Sequence, residues 1–421
     1  MGKTYDVEEE KERVILVGVS TYDNDDTEES LEELKELVKT AGAEVVATVI
    51  QNREVVHSGT YIGKGKIEEI KTAIAETDAT GIVCDDELSP AQLRNLRDLL
   101  DTKVMDRTLV ILDIFAKRAT TGEGKIQVEL AQLKYRLSRL TGLGKSLSRL
   151  GGGIGTRGPG EKKLEMDRRL IKDRISILKR EIEDMKVHRD IARRKRSTAP
   201  GTVISIVGYT NAGKSTLLNE LTGASVIEED KLFATLDPTT RSYTLESGQE
   251  VMFTDTVGFI RKLPHHLIDA FRSTLEEAKY ANILVHVVDA SNPQMDKQMH
   301  TVYQTLEELG VTDKTIITIF NKQDKVMEQL REEGKTEPPV FRDFKADYTM
   351  TATIKKHEGF DTLVGYIEDI IRNRRIYISK VFEYSKAGEI QRIRKYGELI
   401  KEEYREDGIY VEAYVPVELM N

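Results

Sequence analysis

Residues 202–218 read Thr-Val-Ile-Ser-Ile-Val-Gly-Tyr-Thr-Asn-Ala-Gly-Lys-Ser-Thr-Leu-Leu. The run Val203 to Val207 predicts a buried strand, and Lys214 opens a helix. Between them Gly208, Tyr209, Thr210, Asn211, Ala212, Gly213, Lys214 and Ser215 fit G-x-x-x-x-G-K-[ST], the pattern of a phosphate-binding loop. Glycines let the backbone curl close to a ligand, so that successive N–H groups and the helix N-terminus face anionic oxygens. Lys214 supplies a cation for the β- and γ-phosphates, and the Ser215 hydroxyl is placed to ligate Mg²⁺. The backbone of Asn211 to Thr216 completes the cradle. A glycine turn before an ordinary helix is the bland alternative, and the motifs C-terminal to Leu218 count against it.

Downstream come Phe233, Ala234, Thr235, Leu236, Asp237, Pro238, Thr239, Thr240 and Arg241. A threonine here can complete Mg²⁺ coordination and sense the γ-phosphate, and residue spacing does not choose among Thr235, Thr239 and Thr240. The strand Val251 to Thr254 leads into Asp255, Thr256, Val257 and Gly258. Asp255 is expected to hold Mg²⁺ directly or through water, and the Gly258 N–H to bond the γ-phosphate. The strand Thr315 to Phe320 then delivers Asn321, Lys322, Gln323 and Asp324. A carboxylate at Asp324 can accept hydrogen bonds from guanine N1–H and its exocyclic amine, a donor pair that adenine lacks. Thr351, Ala352 and Thr353 are expected to add a backbone contact to the base.

Upstream, apolar runs at Val14 to Val19, Glu44 to Gln51 and Gly81 to Cys84 alternate with helical faces such as Leu31, Leu34, Leu37 and Val38. A further helix is expected from Ile67, another after Ser89-Pro90, and a last strand near Val104, giving an open α/β sheet. Gly59 to Lys66 is glycine- and lysine-rich, but its spacing matches no phosphate motif, and a turn is the favoured reading. Beyond Phe115, Ile126, Leu130, Leu133, Leu137 and Leu140 form one stripe, and Ile171, Ile175, Leu178, Ile182 and Met185 a second. Two such stripes predict an antiparallel helical hairpin. Its middle, Lys134 to Gly160, holds six Lys or Arg and no acidic residue, with a glycine-rich tip at Gly142 to Gly160. A basic loop on a stiff arm suits a polyanion, with a solvated linker as the alternative. Arg193 to Arg196, before Pro200, reads equally as a linker or a phosphate contact.

The net charge of −9 excludes blanket nucleic-acid affinity, so any such binding must be local. The single cysteine, Cys84, excludes an intramolecular disulfide framework, fits a reducing cytoplasm and is expected in the core. No apolar window is long enough for a membrane span, although peripheral association stays open. The tail reads strand (Arg375 to Phe382), helix (Ala387 to Ile400), strand (Ile409 to Pro416). The histidines, including His265 and His266, show no metal-site spacing.

These motifs resemble those of translation-factor-related GTPases, and the chain from about Val14 to its end resembles the HflX family of ribosome-associated GTPases. Marks of that resemblance are Asp106-Arg107-Thr108, Ile111 to Phe115, Gln127 to Leu133, Gly151 to Glu161, Phe233 to Thr239 and Asp255 to Ile260. It implies an α/β fold with an N-terminal α/β domain (1–115), a long antiparallel helical hairpin (116–197), a P-loop GTPase domain (198–373) and a small α/β C-terminal module (374–421). It singles out Thr235 as the Mg²⁺-ligating threonine, with Ser215 and Asp255 completing the metal set and Lys214, Thr235 and Gly258 the catalytic one. The implied activity is Mg²⁺-dependent hydrolysis of GTP to GDP by a cytoplasmic monomer. Its implied partner is the large (50S) ribosomal subunit and its RNA, met through the basic tip at 134–163, in ribosome splitting, rescue or recycling. Phe259 stands where Ras-like enzymes carry a water-orienting glutamine, so slow intrinsic hydrolysis, stimulated by the ribosome, is expected. Thr351 replaces the usual serine, a mild departure affecting base affinity. Two rival readings are a signalling switch without an RNA target and an N-terminal domain using a second nucleotide such as ATP.

Overall fold

The computed structural model describes residues 11–21, 26–140, 159–197, 202–223, 232–264, 277–335 and 337–416. They fall into two compact units. One comprises Met1–Glu183 with Lys231–Phe233 and Arg261–Phe271, the other Asp184–Asp230, Ala234–Ile260 and Arg272–Asn421. Residues 142–158 of the glycine-rich tip, with the Gly151 to Gly158 part of the mark, and His265-His266 lie outside the described residues.

The first unit is built from β1 (Arg13–Ser20), α1 (Thr27–Ala41), β2 (Glu44–Asn52), α2 (Lys64–Thr77), β3 (Gly81–Cys84), α3 (Pro90–Leu100), β4 (Lys103–Asp106), α4 (Arg107–Arg118), α5 (Gly122–Leu140) and, as far as Glu183, α6 (Pro159–Ser197). Its strands form a parallel sheet in the order β2-β1-β3-β4. Val14 to Val17 are wholly buried, as a central parallel strand covered on both faces requires, and Cys84 is a core thiol. Helix α2 starts at Lys64, three residues before the expected Ile67, because Gly63 serves as its N-cap. The preceding glycine-rich stretch is a turn closed by a bridge between His57 and Tyr61. Tyr61 is buried and donates to Asp86 at 2.6 Å.

Helix α4 gives Asp106-Arg107-Thr108 a physical role. Asp106 is fully buried, and its carboxylate accepts from Leu109 N (3.0 Å), Leu88 N (3.1 Å), the Tyr135 hydroxyl (2.7 Å) and Arg139 (2.6 Å). It thus caps α4 and ties α5 to the sheet. Burial, then the nearby Asp106 charge, push the Tyr135 phenol far up, so it stays a donor. Arg107, also buried, reaches Asp85 at 2.9 Å, Ser30 O at 3.3 Å, and Glu33. Burial alone would raise the Asp85 carboxyl, but Arg107 and Lys262 outweigh it and hold it below the ordinary value. Helices α5 and α6 pack through Leu130, Ile175 and Leu178, flanked by Ile126, Leu133, Leu137, Ile171 and Ile182, the stripes read from sequence. Arg174 clamps Glu129 across them with two bonds of 2.7 and 2.9 Å. Arg193 to Arg196 lie within α6, since nothing in that run breaks a helix.

The second unit contains β5 (Thr202–Gly208), α7 (Lys214–Thr222), β6 (Thr239–Thr244), β7 (Glu250–Asp255), β8 (Ile283–Asp289), α8 (Met295–Glu308), β9 (Thr315–Asn321), α9 (Gln323–Glu332), β10 (Tyr348–Thr351) and α10 (Phe360–Asn373). The sheet order is β10-β9-β8-β5-β7-β6, parallel except for the β6–β7 pair. Its core runs from Ile204 and Ile206 to Val285, Ile317 and Ile319, capped by Leu363, Ile367 and Ile371 of α10.

The C-terminal part has one strand more than expected. It comprises β11 (Arg375–Phe382), α11 (Ala387–Tyr396), β12 (Glu398–Arg405) and β13 (Gly408–Pro416), in the antiparallel order β11-β13-β12. The helix expected to reach Ile400 stops at Tyr396, because Gly397 is extended and a Cβ there would lie 2.8 Å from Tyr414 O. Pairing with β13 then overrides the helical propensity of Glu398 to Arg405.

His286 of β8 is buried, 5.1 Å from the Tyr303 ring and 3.9 Å from Asp343 Oδ2. Asp343 accepts from Tyr303 and from Thr318 (2.7 Å), and Lys345 lies 4.9 Å from the Tyr303 ring centroid. Burial lowers the imidazole to about 4, with Asp343 opposing the fall and Lys214 adding to it. The unfolded chain, titrating near pH 6.5, therefore binds this proton more readily. Stability from this site is full above about pH 6.5 and is lost as pH falls towards 4, by up to about 3 kcal/mol. Denaturant unfolding at stepped pH should record this slope, and His286→Leu should flatten it.

Candidate functional site

The strands β5, β7, β8 and β9 end together at Gly208, Asp255, Asp289 and Asn321, and the site is the crevice beyond their carboxyl ends. The loop Gly208 to Gly213 crosses it into α7, whose first turn has no side-chain cap and so leaves its amides for a ligand. Gly213 needs to be glycine on two counts: its φ is +105°, and an added Cβ would sit 2.5 Å from Asn321 Nδ2. Gly258 is restricted by space alone, since a Cβ would meet Thr210 Cγ2 at 2.8 Å and Lys214 Nζ at 2.9 Å.

Lys214 is buried and its ammonium donates to Tyr209 O at 2.6 Å. Burial lowers it to about 8, with Asp255 pulling it back up and Lys322 pushing it further down. An anion beside it would draw it back up. Ser215 Oγ, at the next position, lies 2.7 Å from Thr235 Oγ1 and 2.7 Å from Asp255 Oδ2. The other Asp255 oxygen is buried with no hydrogen-bond partner. Burial raises the Asp255 carboxyl, with Lys214 the main opposing influence. Three hard oxygens and an orphaned carboxylate oxygen fit a small divalent cation such as Mg²⁺. Of the three candidate threonines, Thr235 stands beside Ser215, while Thr240 bonds Thr254 at 2.9 Å on the β6–β7 ladder.

The turn after Asp255 is fastened to the phosphate loop. Thr256 Oγ1 donates to Ile206 O at 2.7 Å, Thr210 N to Phe259 O at 2.8 Å, and Phe259 N to Gly208 O at 3.1 Å. Val257 and the Phe259 side chain are buried, so Phe259 contributes backbone pairing here. On the other flank of Thr235, Phe233 is buried edge-on against Phe115, 4.7 Å between centroids, inside the first unit. Ala234, Leu236 and Asp237 line the same loop.

At the opposite end, Asn321 joins two loops: its Nδ2 donates to Ala212 O at 2.9 Å and its Oδ1 accepts from Ile354 N at 3.1 Å. Lys322, at a φ of 63°, donates to Asn211 O at 2.9 Å and to Asp289 Oδ2 at 2.7 Å. The Asp324 carboxylate is one-third exposed at the crevice rim, with Lys356 4.0 Å away. Gln323 N donates to Ala352 O at 3.3 Å, holding Thr351, Ala352 and Thr353 alongside. Ala352 N donates to Phe320 O and Thr353 N to Glu358 O, so this segment is itself well bonded.

Three profiles match the chain: a GTP-binding GTPase N-terminal region at 28–116, a GTP-binding GTPase middle region at 118–196 and a 50S ribosome-binding GTPase at 203–322. A GTPase HflX from Lacrimispora saccharolytica is 64% identical over 100% of this chain and 97% of its own length. The chain belongs to the HflX GTPase family. The HflX of Escherichia coli is 44% identical over 74% of this chain and 73% of its own. A GTP-binding protein from Sulfolobus solfataricus, solved with GDP, is 27% identical, covering 85% of this chain and 98% of its own, at a TM-score of 0.44. As an HflX-family GTPase, this chain binds GTP and hydrolyses it to GDP.

Asp289 was not singled out by the sequence motifs. The signal for it was an acidic residue ending an apolar strand beside the Asn321 strand. Its bond to Lys322 is charge-assisted and half-buried, so Asp289→Ala should weaken GDP binding roughly 10- to 100-fold. Titration with a fluorescent GDP analogue checks this, and an unchanged unfolding midpoint would separate it from a general loss of stability.

Proposed function

We propose that this HflX-family GTPase docks on the large ribosomal subunit, with its nucleotide state controlling the docking. Support comes chiefly from the match of residues 203–322 to the 50S ribosome-binding GTPase profile. In this reading Mg²⁺ is held by Ser215, Thr235 and Asp255, and when bound it would neutralise charge on the phosphates. Lys214 and the backbone of Asn211 to Thr216 take the phosphates, Gly258 senses the γ-phosphate, and Asn321 and Asp324 read guanine. Residues 134–163, basic and glycine-rich, meet ribosomal RNA, and the protein splits, rescues or recycles ribosomes. It works in the cytoplasm as a monomer, its parts bounded near residues 115, 197 and 373. Among the described residues no helix is long and apolar enough to cross a membrane.

With Phe259 buried in place of a water-orienting glutamine, intrinsic turnover is slow and the ribosome raises it. Turnover measured with and without purified 50S subunits should rise, and flat rates across a salt series would sink the reading. Co-sedimentation with 50S subunits should require a non-hydrolysable GTP analogue and should fall in Arg149→Glu/Arg157→Glu. Base choice is tested separately: Asp324→Asn should favour xanthosine over guanosine nucleotides, because xanthine carries a carbonyl where guanine carries its amine.

A further inference from the structure

Ras-like enzymes hold the attacking water with a glutamine at the position where this chain has Phe259. The Phe259 side chain is buried, and its backbone is committed to the phosphate loop, its N–H to Gly208 O and its carbonyl to Thr210 N. Residue 259 therefore has no polar side-chain atom to offer the reaction. Other hydroxyls around the loop are engaged as well. Ser215 bonds Thr235 and Asp255, and Thr256 donates to Ile206 O.

Thr210 differs from them. It is only 7% exposed, and among the described residues its Oγ1 has no hydrogen-bond partner. A buried hydroxyl left unpaired is costly, and a polar ligand that reaches it removes the cost. Gly258 defines where this side chain stands. A Cβ added to Gly258 would lie 2.9 Å from Thr210 Cα, 2.8 Å from Thr210 Cγ2 and 2.9 Å from Lys214 Nζ. The Thr210 side chain, the Lys214 ammonium and the Gly258 backbone thus border one small volume. The bond of 2.8 Å from Thr210 N to Phe259 O holds the two loops in this relation.

We propose that the Thr210 hydroxyl takes the water-orienting role that Phe259 cannot, hydrogen-bonding the attacking water beside the γ-phosphate. In that step the water oxygen bonds the γ-phosphorus while the bond from that phosphorus to the β,γ-bridging oxygen breaks. GDP leaves with the electron pair, one water proton stays on the phosphate product and the other passes to solvent. A hydroxyl both donates and accepts, so it aligns the water without carrying charge. It is also a poor base at neutral pH, which fits slow intrinsic turnover. This inference rests on the reading that Gly258 and Lys214 meet the γ-phosphate, and it is independent of ribosome docking.

The test is single-turnover hydrolysis of γ-labelled GTP by the full-length protein, read beside its affinities for GDP and for a non-hydrolysable GTP analogue. Thr210→Val keeps the shape and removes the hydroxyl; it should slow hydrolysis roughly 10- to 100-fold and leave both affinities within about threefold. Thr210→Ser keeps the hydroxyl and loses the methyl, and should stay within about threefold of the parent rate. Retained GDP affinity is the check on folding, and Thr210→Ala gives the same reading should Thr210→Val not fold. An unchanged rate without the hydroxyl overturns the proposal. So does a Thr210→Ser protein as slow as Thr210→Val, since packing by the methyl is then what matters. An analogue affinity that falls as far as the rate also overturns it, because the hydroxyl then serves the ground state. Gly258→Ala tests the underlying reading and should weaken the GTP analogue while sparing GDP. If it spares both, the γ-phosphate reading fails; if it behaves as expected while Thr210→Val hydrolyses normally, only the role of Thr210 is lost.

Discussion

A buried ammonium at the start of α7, Lys214, and a buried carboxylate at the end of β7, Asp255, influence each other, with the Ser215 hydroxyl bonded to the carboxylate. Burial weakens the charged form of each, drawing Lys214 down and Asp255 up. Each charge partly offsets the other, and both remain costly while they are kept from water. In the proposed reading a polyphosphate with a divalent cation would relieve both at once, the anion at Lys214 and the cation at Asp255. The rest of the domain serves to hold these groups still: the parallel register aligns the strand ends, and Gly213 and Gly258 let backbone come close where a methyl group would intrude.

The same constraint governs the other end of the crevice. Asn321 commits both ends of its amide to backbone, joining the phosphate loop to the Ile354 turn. Lys322 spans from Asn211 O to Asp289. These bonds fix loops that would otherwise be free to drift, and they leave Asp324 as the rim carboxylate with most of its hydrogen-bonding capacity available.

Much of this was legible in the chain because it is local. The phosphate loop, the strand before it and the helix after it arise from residues adjacent in sequence, as do the packed stripes of α5 and α6. What the sequence hid depends on distant partners. Asp289 matters only because β8 lies beside β9. Asp106 matters because Leu88, Tyr135 and Arg139, far apart in the chain, all donate to it. Residues 398–405 look helical by composition and become a strand through pairing with β13.

That last strand has a consequence for behaviour in concentrated solution. β12 is at one margin of its sheet, with a row of backbone groups open to lateral pairing by another chain. Its sequence, Glu-Leu-Ile-Lys-Glu-Glu-Tyr-Arg, places charge at five of eight positions along that margin. A foreign strand laid against it would have to strip water from those charges, which discourages fibre-like growth from an otherwise receptive border.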